Sequence, residues 1–167
     1  DSSSDSTFKL TYKFIENLKN SFKFKIFSNP KNQGYGGNQK IGYHYAIKNN
    51  FDYVALLHGD GQYAPEYLEI LVEPLNTNEV DAVFGSRMLT KGTALKGGMP
   101  LYKFIGNKIL TNFQNFLLSS KLSEFHSGYR IYKVSALKKI PFELNANDYS
   151  FDSEIIIQLI ISKLKIK

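Results

Sequence analysis

The chain has 167 residues and a mass of 19.0 kDa, with 21 Lys and Arg against 15 Asp and Glu, a net charge of +6 and a pI near 9.3. This length fits one domain able to bury roughly 70% of its unfolded surface, and 43% hydrophobic with 22% charged residues excludes a disordered chain. The absence of cysteine excludes a disulfide scaffold, a thiolate metal site and a cysteine nucleophile, and fits a cytoplasmic protein.

Apolar residues at Phe8, Leu10, Tyr12, Phe14, Ile15 and Leu18 predict an amphipathic helix over 8–20. The alternation FKFKIF predicts a strand over 22–27, broken by Asn29-Pro30. The Gly-rich run Asn32-Gln33-Gly34-Tyr35-Gly36-Gly37 reads as a loop before a helix over 38–48. The apolar run 53–57 predicts a buried, parallel strand. A helix with Pro65 in its first turn is expected over 65–75, then a buried strand over 81–84 and a long helix over 101–118. A strand over 129–132, a short helix over 135–139 and a last helix over 151–163 complete the pattern. Strands alternating with helices predict an α/β fold with a mainly parallel sheet, which binds ligands beyond the carboxyl ends of its strands.

The most apolar stretch, 155–161, is interrupted by Gln158 and falls far short of the roughly 20 residues of a spanning helix. The opening 1–7 is acidic and polar, unlike a secretory signal. Lysines are scattered, and no closely spaced aromatics on a strand mark an RNA-binding surface. A solvated basic surface is therefore preferred to nucleic-acid binding.

Four segments at strand or helix ends carry chemistry. His58-Gly59-Asp60-Gly61-Gln62 follows the strand 53–57 and offers ligands for Mg²⁺ or Mn²⁺ beside a diphosphate. An equally good reading makes Asp60 the cap of the helix at Pro65. Gly85-Ser86-Arg87 follows the strand 81–84, and its arginine suits either a phosphate or a surface ion pair. The run from Glu124 to Arg130 (EFHSGYR) gathers an acid, an imidazole, a hydroxyl and a guanidinium, with His126 a general base or a structural residue. The run from Asp148 to Glu154 (DYSFDSE) opens the last helix, where acids and serine are ordinary capping residues.

The order of these segments is more specific than any one of them. A strand ending in HGDGQ, a strand ending in GSR, a long helix, SGYR and then FDSE resembles the family 2 glycosyltransferases of the GT-A fold. The opening DSSSDST resembles the tail of that family's DDGSxDxT segment, residues 32–38 resemble its N-x-G loop, and Tyr63-Ala64-Pro65-Glu66 continues its DxDGQ-x-x-PE pattern. The resemblance covers nearly the whole chain and is closest to the dolichol-phosphate mannose synthase-like branch.

The resemblance implies a Rossmann-like, three-layer GT-A sandwich lacking its N-terminal β-α-β portion. It implies a divalent cation, Mg²⁺ or Mn²⁺, held by Asp60 with His58 and Gln62. His58 stands where the family's first acid usually stands, a change better tolerated by Mn²⁺; a branch carrying HGDGQY shares it. Asp1, Asn32, Gly34, Gly36 and Asp60 fall on donor-binding positions. Arg87 and Arg130, with Lys96 in the Gly-rich acceptor loop 91–100, fall where the acceptor phosphate is met. Glu124, His126 and Asp152, beside the metal-binding Asp60, compete for the catalytic base. The implied reaction is an inverting, metal-dependent transfer from a nucleotide sugar to polyprenyl or dolichyl phosphate, or to a saccharide hydroxyl, at the inner face of a membrane.

Two alternatives stand beside it: a sugar-phosphate nucleotidyltransferase, and a non-catalytic binding module of glycosyltransferase shape. The motif register further implies a single catalytic domain over 1–167, truncated at both ends. The first strand, first helix and most of the second strand, roughly 30 residues, would precede it, and residues 164–167 would start another strand. Such a piece is expected to be inactive alone, and its open sheet edge favours a homodimer.

Overall fold

The computed structural model describes residues 2, 4–18, 24–77, 79–90 and 92–167. The chain is mixed α/β. Helix α1 spans Thr7–Asn17 and buries none of its residues. The strand predicted over 22–27 is not formed where the chain is described: residues 24–27 belong to no strand, and 22 and 23 lie outside the described residues. An alternating pattern makes a strand only where a partner edge receives it. Here Phe27 packs edge-on against Tyr45 of the next helix, with ring centroids 5.0 Å apart, and Lys25 lies over both rings.

Helix α2, Gly34–Lys48, starts earlier than predicted, so the Gly-rich run is its first turn rather than a loop. Asn32 Oδ1 accepts the Gly34 N–H at 2.7 Å and fixes that start. Strand β1, Tyr53–Leu56, follows. The single helix predicted over 65–75 is instead a 3₁₀ turn, Pro65–Tyr67, helix α3, Leu68–Val72, and a second 3₁₀ turn, Glu73–Thr77. Pro74 has no N–H to continue an α-helix, which accounts for the change of winding. Strand β2 is Ala82–Phe84, helix α4 Thr93–Lys96 and helix α5 Leu101–Leu118, which ends at Ser119 in the left-handed region (φ 50°). Strand β3 is Arg130–Lys133, helix α6 Val134–Leu137, and helix α7 Phe151–Ile161 after a 3₁₀ turn, Phe142–Leu144.

The mainly parallel sheet is corrected. The strand order is β1-β3-β2, and both pairings are antiparallel. Continuous apolar runs signal burial on both faces, and an antiparallel strand covered on both faces reads the same way. All of β3 is buried: Tyr132 joins a cluster with Tyr43 of α2 and Phe151, Ile155 and Leu159 of α7, while Ile131 packs on the other face with Leu75 and Val83. Residues 164–167 do extend the sheet in parallel. Ala82 bridges Ile166, and Lys167 N–H donates to Ala82 O at 3.0 Å.

Because β1 and β2 both oppose β3, they run in the same direction. Leu56 at the end of β1 and Phe84 at the end of β2 both pair with Arg130, the first residue of β3. The segments after β1, after β2 and before β3 therefore meet at one edge.

Candidate active site

His58, Asp60 and Gln62 follow β1 at that edge. Asp60 is exposed, and its Oδ1 accepts the Gln62 backbone N–H at 3.0 Å. The helix at Pro65 is entered from Ala64 without a side-chain cap, so the capping reading of Asp60 is not realised. Gly59 and Gly61 meet nothing within 4 Å among the described residues, and Gly61 has a φ of +74° that other residues rarely adopt. His58 is more enclosed. Its ring meets Tyr35 and Tyr63 edge-on at 5.8 and 5.5 Å, and a Cβ on Gly128 would fall 2.5 Å from its Cε1. Gly128 is thus required for the histidine to lie where it does.

Arg87, just after β2, is committed to Glu124. Its Nη2 lies 2.6 Å from Glu124 Oε1, and its own backbone N–H donates to Oε2 at 2.9 Å. Asn107 on α5 donates to the same Oε1 at 3.1 Å. Glu124 therefore receives donors from two elements and is fully buried (0% side-chain exposure). Arg87 stays partly open, and its Nε is buried with no hydrogen-bond partner among the described residues. The Arg87 guanidinium also sits over the Tyr63 ring at 5.6 Å.

Arg130 is turned inward. Its side chain is fully buried, and it donates through Nε to Ser127 O at 2.7 Å, through Nη1 to Asp152 O at 2.9 Å and through Nη2 to Phe125 O at 2.9 Å. A guanidinium whose fork is filled by carbonyls braces the loop before β3. Lys96 lies exposed on α4; Lys91 and Asp1 lie outside the described residues.

The glycines expected at the donor site lie at the tightly packed start of α2. Gly36 and Gly37 N–H both donate to Asn147 O, at 2.8 and 3.3 Å. A Cβ on Gly36 would fall 2.5 Å from Ala146 O and 2.6 Å from Phe151 Cβ, and one on Gly34 2.4 Å from Asn147 O. They let the start of α2 press against the start of α7, and Asn32 serves that start as described.

Asp152, in the first turn of α7, joins several elements. Oδ2 accepts from Tyr35 at 2.9 Å, and Oδ1 accepts from Gln39 at 3.2 Å and faces Arg130 Nη1 at 3.3 Å. Burial first, and then the charge of Asp152, hold the Tyr35 phenol well above its ordinary pKa. Its hydroxyl also lies 3.3 Å from His58 Nε2. His126 is exposed; partial desolvation, followed by the charge of Arg130, pushes its imidazole below its ordinary value.

Sequence reasoning missed Tyr35 and Tyr63. Tyr63 accepts the Gly128 N–H at 2.8 Å and touches His58, Arg87 and Tyr129. The only linear signal for either was an aromatic residue inside a Gly-rich or Asp-Gly segment.

No group of three His, Asp or Glu side chains among the described residues could hold a metal by itself. The donor set at 58–62, one carboxylate, one imidazole and one amide, fits an ion that takes its remaining ligands from a bound diphosphate.

A family model, Glycosyl transferase family 2, matches residues 1–141. The chain is 31% identical over 144 residues to the low-salt glycan biosynthesis hexosyltransferase Agl6 of Haloferax volcanii, covering 85% of this chain and 33% of that protein. It is 33% identical over 137 residues to the UDP-N-acetylglucosamine–dolichyl-phosphate N-acetylglucosaminyltransferase of Methanococcus voltae, covering 81% and 53%. It is 24% identical over 123 residues to the undecaprenyl-phosphate mannosyltransferase of Micrococcus luteus, covering 73% and 49%. The chain thus spans about a third to about half of these relatives' lengths. With the HGDGQ, GSR and SGYR segments brought to one sheet edge and the family model matching residues 1–141, the chain belongs to glycosyl transferase family 2.

Proposed function

We propose that this chain is part of the GT-A catalytic domain of a hexosyltransferase that moves a sugar from a nucleotide diphosphate to a polyprenyl phosphate, with inversion at the anomeric carbon. The observation that carries the choice of acceptor is the state of the two acids. Glu124 already accepts from Arg87 and Asn107, and Asp152 accepts from Tyr35 and Gln39 and is ion-paired with Arg130. A sugar hydroxyl needs a base to take its proton; a lipid phosphate arrives as an anion and does not. The names of the Methanococcus and Micrococcus relatives support the same acceptor class.

A divalent cation, Mg²⁺ or Mn²⁺, held by Asp60 with His58 and Gln62 would neutralise the departing diphosphate. The chain's own residues supply position and charge. Arg87, fixed by Glu124, keeps 34% of its side chain exposed, and this open part of the guanidinium would meet the lipid phosphate and aim it at the sugar. Arg130 holds residues 125–127 and Asp152 in register so that Arg87 and His58 keep their places.

The test is transfer by the full-length protein from a panel of UDP- and GDP-hexoses to a polyprenyl phosphate in detergent. A glycosylated lipid phosphate is expected, lost by about 100-fold or more in Asp60→Asn with an unchanged circular dichroism spectrum. Full activity of Asp60→Asn, or transfer to saccharide hydroxyls alone, overturns the reading.

A further inference from the structure

We infer that Asp152 and Tyr35 form a relay that decides which nitrogen of His58 offers an electron pair, and that this nitrogen is Nδ1. The relay deepens the proposed transferase site, and its use toward a cation rests on that proposal.

Tyr35 has a single hydroxyl proton. Asp152 Oδ2, 2.9 Å away, only accepts. The same hydroxyl lies 3.3 Å from His58 Nε2. With its proton given to Asp152, the tyrosine can only accept from His58, so Nε2 carries the hydrogen. A neutral imidazole in that state has its lone pair on Nδ1. Tyr149 stacks on Tyr35 at 4.8 Å, Tyr63 meets the His58 ring edge-on, and Gly128 leaves room for it. The relay thus joins α7, α2 and the segment after β1, elements far apart in the chain. A metal-bound histidine commonly gives its other N–H to a carboxylate, directly or through an intermediary, which fixes the tautomer and strengthens the ligand. Here a tyrosine is the intermediary.

The arrangement makes a prediction that simple packing does not. Gln39 at 3.2 Å and Arg130 at 3.3 Å both approach Oδ1 of Asp152. In Asp152→Asn these donors retain the amide oxygen, which turns the NH₂ toward Tyr35. The tyrosine then accepts from the amide and gives its own proton to His58 Nε2. The hydrogen of the imidazole moves to Nδ1.

The experiment is long-range ¹H–¹⁵N correlation on ¹⁵N-histidine protein at about pH 8, above the ordinary imidazole pKa. With three histidines in the chain, His58 is assigned by its loss in His58→Gln. The native protein is expected to show Nε2–H and Asp152→Asn to show Nδ1–H. Mn²⁺ binding in the presence of UDP is expected to weaken about 10–100-fold in Asp152→Asn. Because that variant removes the partner of a buried arginine, Tyr35→Phe provides a second reading: the Nε2 proton should exchange with solvent at least tenfold faster. Nδ1–H in the native protein, no inversion in a folded Asp152→Asn, or unchanged exchange in Tyr35→Phe overturns the relay, and equal Mn²⁺ affinity overturns its use toward a cation. Sugar transfer by a protein whose His58 carries Nδ1–H overturns the relay and leaves the transferase standing. Nε2–H without any sugar transfer overturns the transferase and leaves the tautomer assignment standing.

Discussion

Arg87 Nη2 lies 2.6 Å from Glu124 Oε1 although 37 residues separate the two in sequence. The pair explains why a candidate base is not free, and it gives a first prediction. Glu124→Ala strands Arg87 and Asn107 without their acceptor. Arg87 retains 34% side-chain exposure, so the cost is below that of a wholly buried pair. A loss of about 2 kcal/mol is expected, read as a melting temperature lower by about 4–8 °C. An unchanged melting temperature would mean that water replaces the carboxylate.

The glycines separate structural from open positions. Gly36→Ala drives a methyl group into Ala146 O and the Phe151 side chain, at 2.5 and 2.6 Å. It should destabilise by about 1–3 kcal/mol in urea unfolding. Gly59→Ala meets nothing within 4 Å among the described residues and should stay within about 0.5 kcal/mol of the native protein. Equal effects would contradict the close approach of α2 and α7.

His126 tests the nature of the acceptor. It is exposed, with its imidazole held below the ordinary pKa, and is therefore neutral at physiological pH. If the acceptor is already an anion, His126→Asn should change transfer to polyprenyl phosphate by only a few fold. A loss of about 100-fold or more, the upper part of what a general base contributes, would point to a hydroxyl acceptor.

Tyr43 sets an alkaline limit. It is 2% exposed, its hydroxyl donates to Gln39 at 2.7 Å, and burial raises its pKa well above the ordinary 10.0. The folded chain therefore keeps a proton that the unfolded chain loses, so stability is retained below about pH 10 and falls as pH rises past it. Chemical unfolding at stepped pH should show this fall, and Tyr43→Phe should reduce its slope. A slope unchanged by the substitution would assign the alkaline loss elsewhere.

Some of the fold was legible because local rules suffice. The 101–118 helix matches α5, and the buried runs at 81–84 and 129–132 mark β2 and β3 within a residue. The pattern 22–27 was misread because alternation does not say whether a sheet edge is present. Strand direction was misread because β3 is covered on both faces, which gives the same apolar run in either orientation.

By itself the sequence determined the motifs, their order and the family they indicate, since these depend on residue identity and spacing. Only the tertiary structure decided what each side chain faces. It turned Arg130 inward onto carbonyls, pledged Glu124 to Arg87, and placed Tyr35 between Asp152 and His58. The reason is geometric. Hydrogen bonds act over about 3 Å, and groups 23 to 117 residues apart come within that range only when β1 and β2 end where β3 begins and α7 packs on α2.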